Sequence, residues 1–199
     1  MRYIKASRIF NLSRRRSANI MRSEYANTEL KLNRNALEVV AAAFALDVPS
    51  VALLSLPSSA PIKRVVHELR GLGVNAYSLD LLVADKGRAH LLQGASEASD
   101  DNPVMLVATL ATTRGLDLPE LTHVFMLGLP QGRRADGYLH IAGRVGRFGR
   151  KGKVITVVED REEERREDGT VAWTRDDPKR MMILLAEIGI IPRQFEHFD

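Results

Sequence analysis

Cysteine is absent from this 199-residue chain, and only 6% of its residues are aromatic. The lack of thiols excludes disulfides and thiolate-bound metals. The five histidines form no HxxxH or HExxH pair, which argues against a zinc enzyme. No apolar run approaches the roughly 20 residues of a membrane-spanning helix, so we expect no membrane partner. The hydrophobic content of 45% with few aromatics is typical of an α/β domain.

Acidic side chains are missing from the first 23 residues, which carry seven of the 29 Lys and Arg residues. The rest of the chain therefore holds 22 basic and 25 acidic residues, and the net charge of +4 belongs to this N-terminal arm. An Arg- and Ser-rich arm with interleaved apolar residues is typical of a transit peptide, which predicts a mitochondrial or other organellar location. The other interpretations are a disordered basic tail that contacts RNA phosphates, in the cytoplasm or nucleus, and a sequence that begins at an internal start.

Five short apolar segments alternate with helical patterns along the chain. The predicted strands are 51–56, 74–79, 104–109, 123–127 and 154–158, and the predicted helices are 28–46, 62–69, 84–92, 135–142 and 178–188. Continuous apolar runs indicate strands covered on both faces, and strand–helix alternation indicates parallel crossovers. We therefore predict an α/β fold with a mostly parallel sheet, divided into an arm (1–27), a main domain (28–160) and a tail (161–199). The mixed-charge run 161–168 is interpreted as a solvated loop or helix edge.

Arginine and glycine alternate in the segment 138–152, directly before the last predicted strand. Arginine stands at 144, 147 and 150, and glycine stands at 143, 146 and 149. Guanidinium groups bind phosphate oxygens bidentately, and glycines let a backbone approach a partner closely. The pattern fits a polyphosphate or a nucleic-acid strand. By itself it also fits a basic surface turn or an unstructured RNA-binding tract.

A second polar segment, 108–119, follows the predicted strand 104–109. It contains Arg114, Gly115 and Asp117, placed near the carboxyl end of a buried strand, where open α/β sheets bind their ligands. Asp117 could accept hydrogen bonds from a ribose or hold an arginine. Taken singly, an aspartate at a strand-end turn has a structural role more often than a ligand-binding one.

Together, in this order, the two segments resemble motifs V and VI of DEAD-box and related superfamily 2 helicases. The resemblance runs from about residue 51 to residue 158. It implies the fold of a RecA-like (P-loop NTPase-type) three-layer sandwich, acting as the second domain that closes over ATP and Mg²⁺ held by a first domain. The implied partners are RNA and an N-terminal RecA-like domain, in the same chain or another.

The resemblance also implies roles for individual residues. Arg144 and Arg147 correspond to the catalytic arginine fingers, and Asp117 to a residue beside the ATP ribose. His140 corresponds to an interdomain contact. The positions implied to lie along the RNA backbone are Ser55, Ser58, Arg88, Thr109 and Gly115. No metal ligand is implied in this chain.

Two departures from the family pattern accompany the match. Motif VI begins His140-Ile141 where the family has His-Arg, which brings it closer to some organellar helicases. The region of motif IV has Leu54-Ser55-Leu56-Pro57 in place of an aromatic residue and a threonine. We expect both changes to weaken RNA binding and ATP coupling.

The phosphate-binding loop GxxxxGKS/T, a DEAD-like acidic strand end and a SAT tripeptide do not occur in the sequence. Since these groups bind the phosphates and Mg²⁺, we expect the chain alone to be inactive as an ATPase. The leading hypothesis is the second domain of an ATP-dependent RNA helicase. The alternative is a standalone, catalytically inactive RNA-binding or ribosome-assembly factor.

Overall fold

Helices and strands alternate through most of the described chain. The computed structural model describes residues 2–5, 34–47, 49–79, 102–113, 121–130, 135–146, 152–158, 162–165, 171–191 and 193–194. The helices are α1 (Arg34–Asp47), α2 (Ile62–Gly71), α3 (Leu110–Thr113), α4 (Asp136–Ala142) and α5 (Asp177–Glu187). The strands are β1 (Arg2–Lys5), β2 (Val51–Leu56), β3 (Ala76–Ser78), β4 (Val104–Thr109), β5 (His123–Leu127), β6 (Lys153–Val158), β7 (Glu162–Arg165), β8 (Val171–Arg175) and β9 (Arg193–Gln194).

Seven strands form one sheet in the order β3-β4-β2-β5-β6-β1-β9. Every neighbouring pair in this sheet is parallel, which confirms the predicted sheet type. The five predicted strands occupy its consecutive positions from β3 to β6. The bounds of β2, β4 and β5 agree with the prediction, whereas β3 is shorter and β6 begins one residue earlier. The predicted helix 84–92 lies outside the described residues.

The sheet is covered by helices on both faces, as a three-layer sandwich requires. Alternate side chains of the strands from β2 to β6 enter two separate apolar clusters. One cluster contains buried residues of α1 and α2, and the other contains those of α4 and α5. The strands are continuous apolar runs because both of their faces are buried in this way. None of the described helices is long and apolar enough to cross a membrane.

The tail contributes to the core. Met181, Leu184 and Leu185 of α5 are buried in the same cluster as Tyr138 and Ile141 of α4. Helix α5 starts at an N-cap, where the Asp176 side chain accepts a hydrogen bond from the Lys179 backbone N–H at 3.0 Å. The packed unit therefore continues well beyond residue 160.

Four strands, β1, β7, β8 and β9, were not predicted from the sequence. Residues Arg2–Lys5 pair with β6 along four positions, so the start of the arm extends the sheet. The prediction of a loop or helix edge for 161–168 is wrong over Glu162–Arg165, which pair antiparallel with β8. The β-forming residues of Val171–Arg175 follow a turn-forming Asp-Gly dipeptide, and that combination favours a hairpin even with a charged partner strand. The arm as a transit peptide or RNA-contacting tail stays a prediction.

Candidate ATP and RNA interface

The carboxyl end of β2 lies where the connections between strands switch from one face of the sheet to the other. Strand β2 leads into α2 on one face of the sheet, whereas its neighbour β5 leads into α4 on the opposite face. Connections that leave to opposite faces open a crevice outside the strand ends, which is where ligands of open α/β sheets bind. A depression of about 190 Å³ lies at this point. It is lined by Ser55, Leu56, Pro57, Ser58, Met126, Leu127, Gly128, Leu129, Pro130 and Ile141.

The two predicted serines line this depression but differ in exposure. Ser58 is exposed beyond the end of β2 and can reach a ligand on the surface. Ser55 is only 4% exposed, so its access is limited to the depression itself.

Thr109 lies on the neighbouring strand, directly opposite Leu56 in the register. It is 8% exposed, and its Oγ1 accepts a hydrogen bond from the Thr112 backbone N–H at 3.4 Å and lies 3.1 Å from Thr112 Oγ1. These contacts make Thr109 the side-chain cap of α3. The sequence interpretation missed this structural role, although a threonine directly before a helix was the available signal.

Arg144 and His140 form the second part of the predicted site, at the end of α4. Arg144 is 8% exposed, and its Nη2 donates to His140 Nε2 at 2.7 Å. Because arginine can only donate, His140 accepts here as a neutral imidazole and adds no charge of its own beside Arg144. The pair is separated by four residues, so one helical turn brings the two side chains together.

Helix α4 is anchored to the sheet by a buried tyrosine. Tyr138 is fully buried, and its hydroxyl lies 3.0 Å from Oγ1 of Thr156 on β6, which is also fully buried. Burial raises the pKa of Tyr138 to about 12, and the hydrogen bond to Thr156 opposes that rise. The hydroxyl therefore stays neutral at physiological pH and fixes the orientation of the helix that carries His140.

Two glycines shape the turn that holds Arg144. Gly146 has a φ of +74°, a left-handed conformation that side chains disfavour. A Cβ at Gly152 would lie 2.6 Å from Val145 Cβ and 2.7 Å from the Gly146 backbone nitrogen. The glycines were predicted to permit close approach to a ligand. In the structure Gly152 permits close approach within the chain, where the start of β6 meets the turn after α4.

The predicted residues thus fall into two groups. Ser55, Ser58 and Thr109 lie at the carboxyl ends of two neighbouring strands, and His140 and Arg144 lie together at the end of α4. Contacts between α3 and α4 join the two regions. Arg88, Gly115, Asp117 and Arg147 lie outside the described residues.

An ionic cluster that was not predicted from the sequence lies at the amino ends of β5 and β6. The Asp47 carboxylate, at the end of α1, contacts His123 Nε2 at 3.1 Å and forms an ion pair with Lys153 Nζ. His123 Nδ1 lies 2.9 Å from Thr122 Oγ1. Since Asp47 and His123 are 76 positions apart, no local pattern could have paired them.

The two titrating groups of this cluster have shifted pKa values. Burial lowers the pKa of His123 below 6.5, and Lys153 lowers it further, while the Asp47 charge opposes both effects. For Asp47, burial acts to raise the pKa, but the hydrogen bonds and charges of Lys153 and His123 outweigh it and hold the pKa below 3.8. The neutral His123 is expected to donate through Nε2 to Asp47, while the Thr122 hydroxyl beside Nδ1 donates to the Val51 carbonyl oxygen at 3.0 Å.

The sequence model of a family described as the helicase conserved C-terminal domain matches residues 46–149 of this chain. That match covers more than half of the chain, from the end of α1 through the arginine-rich turn. The chain belongs to this helicase family. Within it, the chain is a C-terminal domain of the DEAD-box RNA helicase type, as the relatives below indicate. The predicted family and RecA-like fold are confirmed.

Two curated relatives illustrate the sequence similarity of this helicase domain. The ATP-dependent RNA helicase MAK5 of Candida albicans is 40% identical over 92 residues, which cover 46% of this chain and 12% of that protein. The ATP-dependent RNA helicase SrmB of Escherichia coli is 38% identical over 98 residues, covering 47% of this chain and 21% of that protein. The chain therefore spans between about an eighth and a fifth of the length of these relatives.

Solved structures support the fold of the helicase domain. The C-terminal domain of the DEAD-box protein Dbp5 has a TM-score of 0.60 at 20% identity, covering 81% of this chain and 83% of that one. Domain 2 of the DEAD-box helicase Mss116p, solved on an RNA duplex, has a TM-score of 0.54 at 14% identity, covering 98% and 64%. At these identities the likeness concerns the fold alone. Membership of an organellar group gains no support from these relatives.

Proposed function

We propose that this chain acts as the second domain of an ATP-dependent RNA helicase and completes an ATP site whose other half is a first RecA-like domain. The observation that carries the proposal is the His140–Arg144 pair, which lies within the family-matched segment. A neutral histidine accepts a hydrogen bond from a buried arginine and orients it at the end of a helix anchored by Tyr138. Such a group fits a negatively charged phosphate.

In the proposed mechanism, Arg144 and Arg147 stabilise negative charge on the transferred phosphoryl group, and Asp117 lies beside the ribose. ATP, with Mg²⁺ bound mainly by the first domain, supplies the phosphoryl group. One arginine finger can contribute a factor of about 10³–10⁵ in rate. Burial of Arg144 strengthens this effect, because a charge that is screened from water acts over a longer range.

The strand-end group is proposed to hold the RNA backbone. Ser58 is exposed at the crevice and can donate a hydrogen bond to a phosphate, with Ser55 behind it in the depression. Arg88, Thr109 and Gly115 are proposed to extend this contact. When the two domains close on RNA, the residues at the strand ends would contact the RNA. In the same complex, His140 and Arg144 at the end of α4 would face the ATP.

A chimera tests the ATPase role. The first domain of Escherichia coli SrmB is joined to this chain in place of its own second domain, and RNA-stimulated ATP hydrolysis is measured. We expect Arg144→Ala to lower kcat by about 10³-fold or more. Arg144→Lys should recover part of the activity, because it keeps the charge but not the planar fork. Lys179→Ala, an exposed position on α5, is the matched control and should leave kcat unchanged.

Two outcomes would separate the hypotheses. Full activity in the Arg144→Ala chimera would contradict the finger role. A chimera without ATPase activity, built on a chain that still binds RNA, would instead favour the catalytically inactive RNA-binding or assembly factor. The parent SrmB carrying its own second domain shows that the fusion and assay work.

A further inference from the structure

The solvent side of α2 carries a row of basic residues. Lys63, Arg64, His67 and Arg70 are all exposed, while the opposite side of the helix is buried against the sheet. The buried residues of α2 are Val65, Val66 and Leu69. Positions separated by three and four residues share one side of a helix, so the four basic residues form one continuous strip, the α2 basic face.

The charge of the α2 basic face is not neutralised within the described parts of the chain. Lys63, Arg64 and His67 make no ion pair there, and Glu68, one turn after Arg64, pairs with none of them. Most other described basic side chains form an ion pair or a hydrogen bond with another side chain. Pairs with an acidic residue are made by Arg34, Lys153 and Arg180.

Arg70 is held in place by uncharged groups. Its Nε donates to the Ala76 carbonyl oxygen at 2.8 Å, and its guanidinium carbon lies 5.3 Å from the centroid of the Tyr77 ring. Neither contact supplies a negative ion, so Arg70 keeps its full charge while losing conformational freedom. Ordering the side chain before a ligand arrives reduces the entropy cost of binding.

The α2 basic face begins beside the candidate RNA interface. Helix α2 starts at Ile62, four residues after Ser58, and returns along the sheet away from the strand ends. From Lys63 to Arg70 the helix rises about 10 Å, at ~1.5 Å per residue. A strand bound at the depression therefore meets positive charge along this side of the domain.

We propose that the α2 basic face binds the phosphates of the RNA strand as it leaves the strand-end crevice. This inference rests on the proposed RNA-binding function and adds a second, independent contact surface. RNA fits better than an acidic protein, because α2 exposes no large apolar side chain. Protein interfaces are depleted of charge at their centres and use aromatic or apolar anchors.

The test measures binding of fluorescein-labelled oligouridylate to the full chain by anisotropy at several KCl concentrations. The variant is K63Q/R64Q, and K179Q on α5 is a control on another helix. Each lost phosphate contact lowers the salt slope by about 0.7 for a single strand, so the double variant should lose about 1.4. At 0.1 M salt this corresponds to roughly 25-fold weaker binding. A short oligouridylate that spans only the crevice should be unaffected by K63Q/R64Q.

Each remaining outcome overturns the inference in a different way. If the wild-type chain binds RNA with a salt slope that K63Q/R64Q leaves unchanged, the α2 surface is not used and the proposed function stands. If the wild-type chain binds no RNA at low salt, the RNA part of the proposed function fails as well. If polyglutamate binds as tightly as RNA and is equally sensitive to K63Q/R64Q, the surface recognises an acidic protein. Unchanged urea midpoints show that the variants are folded.

Discussion

The hydrogen bond between Tyr138 and Thr156 offers a quantitative test of how α4 is anchored. Both residues are fully buried, and their hydroxyl oxygens are 3.0 Å apart. Tyr138→Phe removes the tyrosine hydroxyl. The buried Thr156 hydroxyl then loses this hydrogen-bond partner. Adding Thr156→Val removes the second hydroxyl while keeping the side-chain shape.

The expected free energies differ in a characteristic way. A buried polar group that loses its partner costs about 1–3 kcal/mol, whereas replacing both partners by apolar groups of similar shape is nearly neutral. For a chain of this size, each kcal/mol lowers Tm by about 2–4 °C. Tyr138→Phe should therefore lower Tm by roughly 2–12 °C, and the double variant should regain most of that loss.

Thermal and urea unfolding, both followed by far-UV circular dichroism, measure the two variants against the wild-type chain. The m-value should stay constant, since neither substitution changes the surface exposed on unfolding. A double variant less stable than Tyr138→Phe would refute the reasoning, because it would mean that Thr156 is satisfied without Tyr138. In the SrmB chimera, Tyr138→Phe should also lower kcat if anchoring of α4 orients Arg144.

Three further predictions concern stability. The pKa of His123 is lowered in the folded state, so the unfolded chain binds more protons just below pH 6.5. The free energy of unfolding should therefore fall as the pH drops through that range. Urea midpoints measured across pH should show this dependence in the wild-type chain and lose it in His123→Gln. The lowered pKa of Asp47 adds stability above pH 3.8 that is lost in stronger acid, and Asp47→Asn should remove this second slope. Gly152→Ala would place its Cβ 2.6 Å from that of Val145 and should cost about 1–3 kcal/mol in urea unfolding; a midpoint equal to that of the wild-type chain would contradict the close approach.

Local pattern in the sequence was sufficient for the central part of this domain. Strands β2, β4 and β5 have the predicted bounds because each is a continuous apolar run between turn residues, and both faces of each are buried. The arginine-rich segment was assigned to the family through motif order and spacing. The contact between His140 and Arg144 was not predicted, although a separation of four residues across the end of α4 brings their side chains close together.

The tertiary structure alone decided which distant residues meet. Apolar periodicity reports that a residue is buried but not against which partner, so the joint core of α4 and α5 could not be predicted from it. The Asp47–His123 contact depends on how the chain crosses between strands, and β1 is stabilised by pairing with β6. The burial of Arg144 likewise arises from packing around α4, where a sequence shows only a basic turn. Composition and spacing thus determined the elements and the family, while long-range packing determined the geometry in which the charges are held.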